Sequence, residues 1–132
     1  LGFDTFIPEN DISRVYFEFL VRYNEENIGL PIGDLVKALQ AEGARVEAPR
    51  YPLLHQQPVF THHVWSKIAR LPATPENPIH VYDESDLPLT TLGNGTLLKL
   101  PAFPSANKEL LAQYALAFEK VLSHADDLPR TT

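Results

Sequence analysis

The amino-acid sequence predicts a small α+β fold, in which a sheet of antiparallel or mixed strands is flanked by helices. An alternating apolar segment at 15–23 precedes a segment with helical spacing at 31–43, and a second helical segment lies near the end of the chain. A chain of 132 residues, 44% hydrophobic and 21% charged, is long enough to bury a core without disulfides. We therefore expect residues 1–132 to form a single small domain.

The first strand is predicted to run from Val15 to Tyr23. Apolar residues occupy one side of this segment: Val15, Phe17, Phe19, Val21 and Tyr23. The other side is more polar and carries Tyr16, Glu18 and Arg22, together with Leu20. Alternation of this kind is typical of a half-buried strand.

A helix is predicted after a loop at 24–30. Pro31 suits the first turn, the apolar residues at 32, 35, 36 and 39 recur at helical spacing, and Gly43 stands where a C-terminal cap is expected. A short strand from Ala44 to Ala48 should follow. It should end there because Pro49 has no amide hydrogen to donate to a neighbouring strand. These elements form a strand-helix-strand unit.

The second half of the chain is predicted to contain a short helix at Phe60–Leu71 and a long irregular connection at Pro72–Pro88. Asn94-Gly95 lies between two apolar segments and suits a tight turn, so residues 87–100 are predicted to form a hairpin or an extended excursion. The same Asn94-Gly95-Thr96 matches a glycosylation sequon, but we assign no glycan because a signal peptide is not seen.

A final helix is predicted after Ser105 or Asn107, either of which could cap it. Its apolar stripe consists of Leu110, Tyr114, Ala117, Phe118, Val121 and Leu122. Lys120 and His124 lie near the negative C-terminal end, and the tail DDLPRTT is expected to fray.

The composition excludes several classes of function. A net charge of −6, from 11 basic and 17 acidic residues, argues against nucleic-acid binding. The absence of cysteine excludes disulfides and thiolate metal sites. Apolar runs fall short of the roughly 20 residues of a membrane span, so we expect a cytoplasmic protein without membrane contact. Because the chain begins at Leu1 and lacks methionine, we also expect it to be a piece of a longer protein.

The segment RYPLLHQQPVF, residues 50–60, is the candidate ligand-binding segment. Arg50, Tyr51 and His55 follow the predicted second strand, and loops at strand ends commonly hold ligand-contacting groups. The alternative is a stiff connector, in which prolines restrict the backbone while Leu53 and Leu54 anchor it to the core. The residues alone leave both interpretations open.

Other candidate sites are weaker. The histidines have no recognised spacing of metal ligands: His55, His62, His63, His80 and His124. The acids Asp83, Glu84 and Asp86 lack the pattern of a calcium loop. Neither a phosphate-binding glycine motif nor a nucleophile elbow is present. We therefore expect no catalytic, cofactor-binding or metal-ligating residue in this chain.

The order of segments resembles the C-terminal part of the DegT/DnrJ/EryC1/StrS aminotransferases. Six segments carry the similarity, which covers about residues 12–122: RVYFEFLVRY, PIGDLVKALQAEG, ARVEAPRYPLLHQQPVF, DLPLTT, LLKLPAF and ELLAQYALAFEKVL. These enzymes use pyridoxal 5'-phosphate and have the aspartate-aminotransferase fold, fold type I. Residues 62–86 depart from the commoner members.

The resemblance implies that this chain is the small C-terminal domain of such an enzyme. A large N-terminal domain would bind pyridoxal phosphate and carry the Schiff-base lysine, and the full-length protein would be a homodimer. In the family, a sequence motif surrounds the Schiff-base lysine. No lysine of this chain lies in a recognisable version of that motif: Lys37, Lys67, Lys99, Lys108 and Lys120. The isolated chain is therefore expected to be inactive.

The resemblance also implies a reaction, the transfer of an amino group from glutamate or glutamine to a keto-sugar or cyclitol. In that setting Arg50 would receive the donor carboxylate, and Tyr51 or His55 would hydrogen-bond the substrate. The alternative is an independent, non-catalytic α+β module that binds a ligand or a protein.

Overall fold

The computed structural model describes residues 2–5, 10–49, 51–62, 64, 68, 70, 74–75, 78, 82–83, 85–105 and 107–131. The chain divides into two compact units. The first consists of Leu1–Pro49 and Thr96–Thr132, and the second of Arg50–Gly95. That residues 1–132 act as one small C-terminal domain stays a prediction.

The first unit contains a three-stranded antiparallel sheet in the order β1-β2-β3. Its strands are β1 (Phe3–Thr5), β2 (Phe19–Tyr23) and β3 (Leu97–Leu100). In the register, Phe3 pairs with Tyr23 and Phe19 pairs with Leu100. The predicted α+β class with a small antiparallel sheet is confirmed.

Strand β2 is shorter than the segment predicted from the alternating pattern. Val21 and Tyr23 are buried and Arg22 is exposed, as expected, but Val15 is 94% exposed and Phe17 80%. The backbone bends at 17 and 18, before the first residue that pairs with β3. Strand β1 was not predicted because three residues are too few to show a period of two.

Five helices are described in the two units: α1 (Glu25–Ile28), α2 (Ile32–Ala41), α3 (Pro58–Thr61), α4 (Pro88–Thr96) and α5 (Lys108–Ser123). Short 3₁₀ turns lie at Leu54–Gln56 and Ala125–Asp127. Within the described part of the chain, no helix has both the length and the apolar character needed to cross a membrane.

Helix α2 confirms its prediction closely. Leu35 and Leu39 are fully buried, and Gly43 has a φ of +86°, a left-handed conformation that favours glycine. The predicted loop before it contains α1, whose first turn is capped by Asn24 Oδ1 accepting from the Asn27 amide at 3.2 Å. Helix α1 was missed because a single turn has no apolar periodicity.

The predicted hairpin at Asn94-Gly95 is wrong. These residues lie in the last turn of α4, which runs directly into β3. The helix begins at Pro88, whose ring fixes φ at a value that suits a helix. Its first turn is closed by the Leu87 carbonyl, which accepts hydrogen bonds from the amides of Thr90 at 3.1 Å and Thr91 at 3.0 Å. The segment after the turn is a strand, as expected.

The core of the first unit is formed by residues from the sheet and from two helices. Its largest fully buried side chains are Tyr23, Leu30, Leu35, Leu39, Val46 and Leu98. The Tyr23 hydroxyl donates to the Leu30 carbonyl at 2.7 Å, and burial, helped by the negative charge of Glu25, raises the pKa of Tyr23. Helix α5 adds Ala117 and Val121 to this core.

The predicted strand at Ala44–Ala48 is reduced to one bridge, between Glu47 and Lys99. The Glu47 amide donates to the Lys99 carbonyl at 3.0 Å, and the Lys99 amide donates to the Glu47 carbonyl at 2.8 Å. Val46 is buried, as the alternating pattern requires. The next residues do not extend the ladder, because Pro49 has no amide hydrogen.

The end of the chain is docked on α2, so the expected fraying of the tail is wrong. Asp34, only 6% exposed, accepts hydrogen bonds from the Thr131 amide at 2.8 Å and from the Thr131 hydroxyl. The Lys37 ammonium donates to both residues, and the Arg130 guanidinium donates to the Gly29 carbonyl. These contacts satisfy a carboxylate that would be costly to bury alone.

The docked tail should be sensitive to acid. The hydroxyl and amide of Thr131, with a smaller contribution from Lys37, hold the pKa of Asp34 below its ordinary value. A lowered folded pKa stabilises the fold above the unfolded pKa of about 3.9, and this stabilisation is lost as pH falls through the folded value. We expect the Thr131 amide resonance to lose its exchange protection on acidification below about pH 4.

The control for this titration is Asp34→Asn, which keeps the shape of the side chain but cannot be ionised. In that variant the Thr131 amide should be less protected at neutral pH and should show little change on acidification. A Thr131 amide that responds to acid equally in both proteins would contradict the role of Asp34.

Candidate functional site

The candidate ligand-binding segment folds as two successive helical turns. The Leu53 carbonyl accepts from the Gln56 amide and the Leu54 carbonyl from the Gln57 amide, both at 3.1 Å, which closes the 3₁₀ turn. Pro58 then occupies the first turn of α3, where its fixed φ is favourable and its missing amide hydrogen costs nothing. The predicted helix at Phe60–Leu71 agrees with the helical conformation of Phe60, Thr61, Val64 and Ile68, and most of its other residues lie outside the described ones.

The 3₁₀ turn places a histidine inward and a leucine outward. His55 is only 5% exposed, whereas its neighbour Leu54 is 69% exposed. The connector interpretation required Leu54 to anchor the segment in the core, and that part of it is wrong. Burial of a histidine in place of an adjacent leucine reverses the usual preference.

The His55 cavity, as we call it, lies within the second unit and has a volume of about 190 Å³. It is lined by Leu54, His55, Phe60, Tyr82, Leu87 and Thr90. The rings of Phe60 and Tyr82 meet edge to face, with centroids 6.0 Å apart and planes at 81°. A mostly apolar cavity with a few polar groups is the usual form of a small-molecule site.

The imidazole of His55 is not satisfied by the protein. Its Nε2 atom is buried and has no hydrogen-bond partner in the structure. A buried polar atom without a partner typically costs about 1–3 kcal/mol, and such atoms are uncommon enough to need an explanation. His55 lines the cavity, but its Nε2 atom is itself buried, so a ligand would reach this atom only after the side chain or the cavity wall shifts.

Of the other two predicted site residues, the structure describes only Tyr51, and it does not bring Tyr51 to this cavity. Tyr51 is 62% exposed and is not among the lining residues. Arg50 lies outside the described residues, so nothing follows about its position. Substrate binding by Arg50, Tyr51 and His55 stays a prediction, with His55 as the member that the cavity supports.

Sequence reasoning missed Phe60, Tyr82, Leu87 and Thr90 as members of one site. Tyr82 and Leu87 lie in the segment predicted to be irregular, Phe60 and Thr90 lie on either side of it, and no short-range pattern connects the four residues. The one available signal was the exceptional polarity of RYPLLHQQ, which pointed to His55 but not to the residues that surround it.

The acidic loop after Tyr82 serves a local structural role. Asp83 Oδ1 accepts from the Ser85 amide at 2.6 Å, and Asp86 Oδ2 accepts from the Asp83 amide at 2.8 Å. These bonds organise a turn before α4. Among the residues that the structure describes, no group of three or more histidines and acids is arranged to hold a metal ion. Glu84, His63 and His80 lie outside that part.

Three of the described lysines form ion pairs with carboxylates. The Lys99 ammonium lies 2.5 Å from Glu47 and 3.9 Å from Glu18, Lys37 lies 3.3 Å from Asp34, and Lys120 lies 2.8 Å from Glu42. Lys108 is exposed in the first turn of α5, and Lys67 lies outside the described residues. None of the described lysines lines the His55 cavity.

Comparison of this chain with protein-family models, with curated proteins and with solved structures gave no match.

Proposed function

We propose that this chain is the small C-terminal domain of a pyridoxal-phosphate-dependent aminotransferase of the DegT/DnrJ/EryC1/StrS type, with fold type I. The whole enzyme transfers an amino group from glutamate or glutamine to a keto-sugar or cyclitol. The order of the resembling segments over residues 12–122 supports this proposal. So does the agreement of β2, α2, β3 and α5 with four of those segments.

The observation that carries the proposal is the burial of His55 beside an apolar cavity. His55 belongs to the YPLLH part of the most distinctive segment, and it is the polar residue there that the fold turns inward. In the proposed enzyme it hydrogen-bonds the substrate, while Arg50 receives the donor carboxylate and Tyr51 contributes at the rim. The domain thus contributes a cleft wall and substrate contacts.

The covalent chemistry is assigned to the large N-terminal domain of the same polypeptide. Pyridoxal phosphate held there would carry the amino group between donor and acceptor. A lysine that forms an imine must present a free amine to the aldehyde, whereas Lys37, Lys99 and Lys120 contact carboxylates. The full-length enzyme is proposed to be a homodimer.

The proposal is tested on two proteins, the 132-residue chain and the polypeptide extended upstream of Leu1. We expect the extended protein to bind pyridoxal phosphate as a visible imine and to lose that absorbance on addition of glutamate or glutamine. The 132-residue chain should show neither signal. An upstream sequence without a lysine-bearing α/β domain, or transamination by the short chain alone, would refute the proposal.

A second candidate function is an independent α+β module that binds a small molecule without catalysis. One observation favours it: all described lining residues of the His55 cavity belong to the second unit of this chain. The same pair of proteins separates the two candidates, because a binding module gains no imine absorbance when the chain is extended.

A further inference from the structure

We propose that Gly29, Asp34 and Lys37 form a peptide-binding site that recognises an arginine followed by a threonine or a serine. The chain's own tail, Arg130-Thr131, occupies this tail site, as we call it, and acts as a detachable strap. The inference concerns the first unit and goes beyond the proposed function, since it involves neither the His55 cavity nor the cofactor.

The arginine of the tail is recognised by a main-chain carbonyl. The Arg130 guanidinium donates to the carbonyl of Gly29, the residue that ends α1 with a left-handed φ of +74°. Arg130 is exposed, so its charge stays hydrated while the contact forms. The two residues are 101 positions apart, so the local geometry of the chain does not impose this contact.

The threonine of the tail is recognised at both its amide and its hydroxyl. The amide of Thr131 donates to Asp34 Oδ2 at 2.8 Å, and the hydroxyl donates to Asp34 Oδ1. The Lys37 ammonium donates to the same hydroxyl at 2.8 Å. The tail site therefore suits a side chain that donates and accepts at one atom, which serine and threonine do and valine does not.

The tail site keeps its own charge balance when the tail leaves. Asp34 and Lys37 are three residues apart on the surface of α2 and form an ion pair at 3.3 Å. Asp34 is only 6% exposed, whereas the side chain of Lys37 is 64% exposed. Because Lys37 belongs to the site and not to the tail, detachment leaves the Asp34 carboxylate with a partner.

The tether sets the affinity expected for a free peptide. Leu128 packs against the core, so only Pro129 separates the anchored part of the chain from Arg130. A short tether supplies an effective concentration of about 1–10 mM, so a tail docked in about nine of ten molecules requires a Kd of about 0.1–1 mM for the same segment in free form. By the same arithmetic, the docked tail weakens binding of a free peptide about tenfold.

The test uses the full 132-residue chain with Thr131→Val, which removes the hydroxyl and keeps the shape of the side chain. We expect this variant to lose the exchange protection of the amide at position 131, because its tail is released. In an NMR titration followed at the amides of Gly29, Asp34 and Lys37, it should bind the peptide acetyl-Leu-Pro-Arg-Thr-Thr-amide saturably. The unaltered chain and Thr131→Ser should bind this peptide about tenfold more weakly, since their own tails compete.

Two controls define the recognition. A peptide with valine in place of its first threonine should bind at least about tenfold more weakly to the Thr131→Val chain, because hydrogen bonds to Asp34 and Lys37 are lost. The double variant Asp34→Asn, Thr131→Val should bind the threonine peptide more weakly by a similar factor.

Three results would each overturn the proposal. They are a Thr131→Val chain whose tail stays docked, affinities for the threonine peptide that agree within a factor of two between this variant and the unaltered chain, and absence of saturable binding up to about 10 mM peptide. Should Thr131→Val fail to fold, the preference of the unaltered chain for the threonine peptide over the valine peptide still decides the matter. Failure here leaves the aminotransferase proposal standing, and the reverse holds too.

Discussion

Leu35→Ala should lower the free energy of unfolding of the first unit by about 3 kcal/mol. Leu35 is 0% exposed in the middle of α2 and belongs to the core formed with Tyr23, Leu39 and Leu98. Alanine removes most of the buried side chain and leaves a space that the rigid neighbours fill only in part. The loss is measured by urea unfolding, followed through amide resonances of the first unit.

The matched control is Leu116→Ala, the same substitution in the interior of another helix. Leu116 is 63% exposed in α5, so little burial is lost and the change in helix propensity is the same. We expect its effect to stay within about 0.5 kcal/mol of zero. Equal destabilisation by the two substitutions would mean that α2 does not form the core described above.

His55→Ala should lower kcat/KM for the amino acceptor by about 10- to 100-fold in the extended enzyme, because a substrate hydrogen bond is removed. The visible absorbance of the internal imine should be unchanged, since the covalent chemistry is assigned to the other domain. Arg50→Ala should have a comparable effect on use of the amino donor, because a carboxylate then lacks its partner. Both are measured by steady-state kinetics and absorbance.

His62→Ala is the control for these variants, because His62 is exposed and follows the same segment. Its kinetics should match those of the unaltered enzyme. Unchanged kinetics in both His55→Ala and Arg50→Ala would assign RYPLLHQQPVF to a connecting role. Loss of the imine absorbance in either variant would instead place the segment at the cofactor.

Much of the fold was predictable wherever a pattern repeats over several turns. Helix α2 has four apolar residues at helical spacing and a glycine at its end, and the structure places Leu35 and Leu39 inward as the spacing requires. Helix α5 was likewise predicted, with Ser105 or Asn107 as its cap, and the structure uses Asn107: its Oδ1 atom accepts from the Leu110 amide at 3.0 Å. Local propensity and amphipathicity agree in both helices.

Predictions failed where two local patterns compete. Asn94-Gly95 is a strong turn signal, yet the two residues continue the helix that Pro88 begins. Neither glycine of that helix adopts a positive φ, whereas Gly29 and Gly43 do. The strand that follows this helix, Leu97–Leu100, pairs with β2, which lies far away in the sequence.

The sequence by itself determined the α+β class, the two long helices and the segment in which a ligand site was expected, since each depends on residues near one another in the chain. Only the tertiary structure decided that His55 faces inward beside Phe60 and Tyr82, and that Thr131 caps the carboxylate of Asp34. The last pair is 97 residues apart. No local period encodes such a contact, because it arises when separate elements pack and a buried polar group must find its partner.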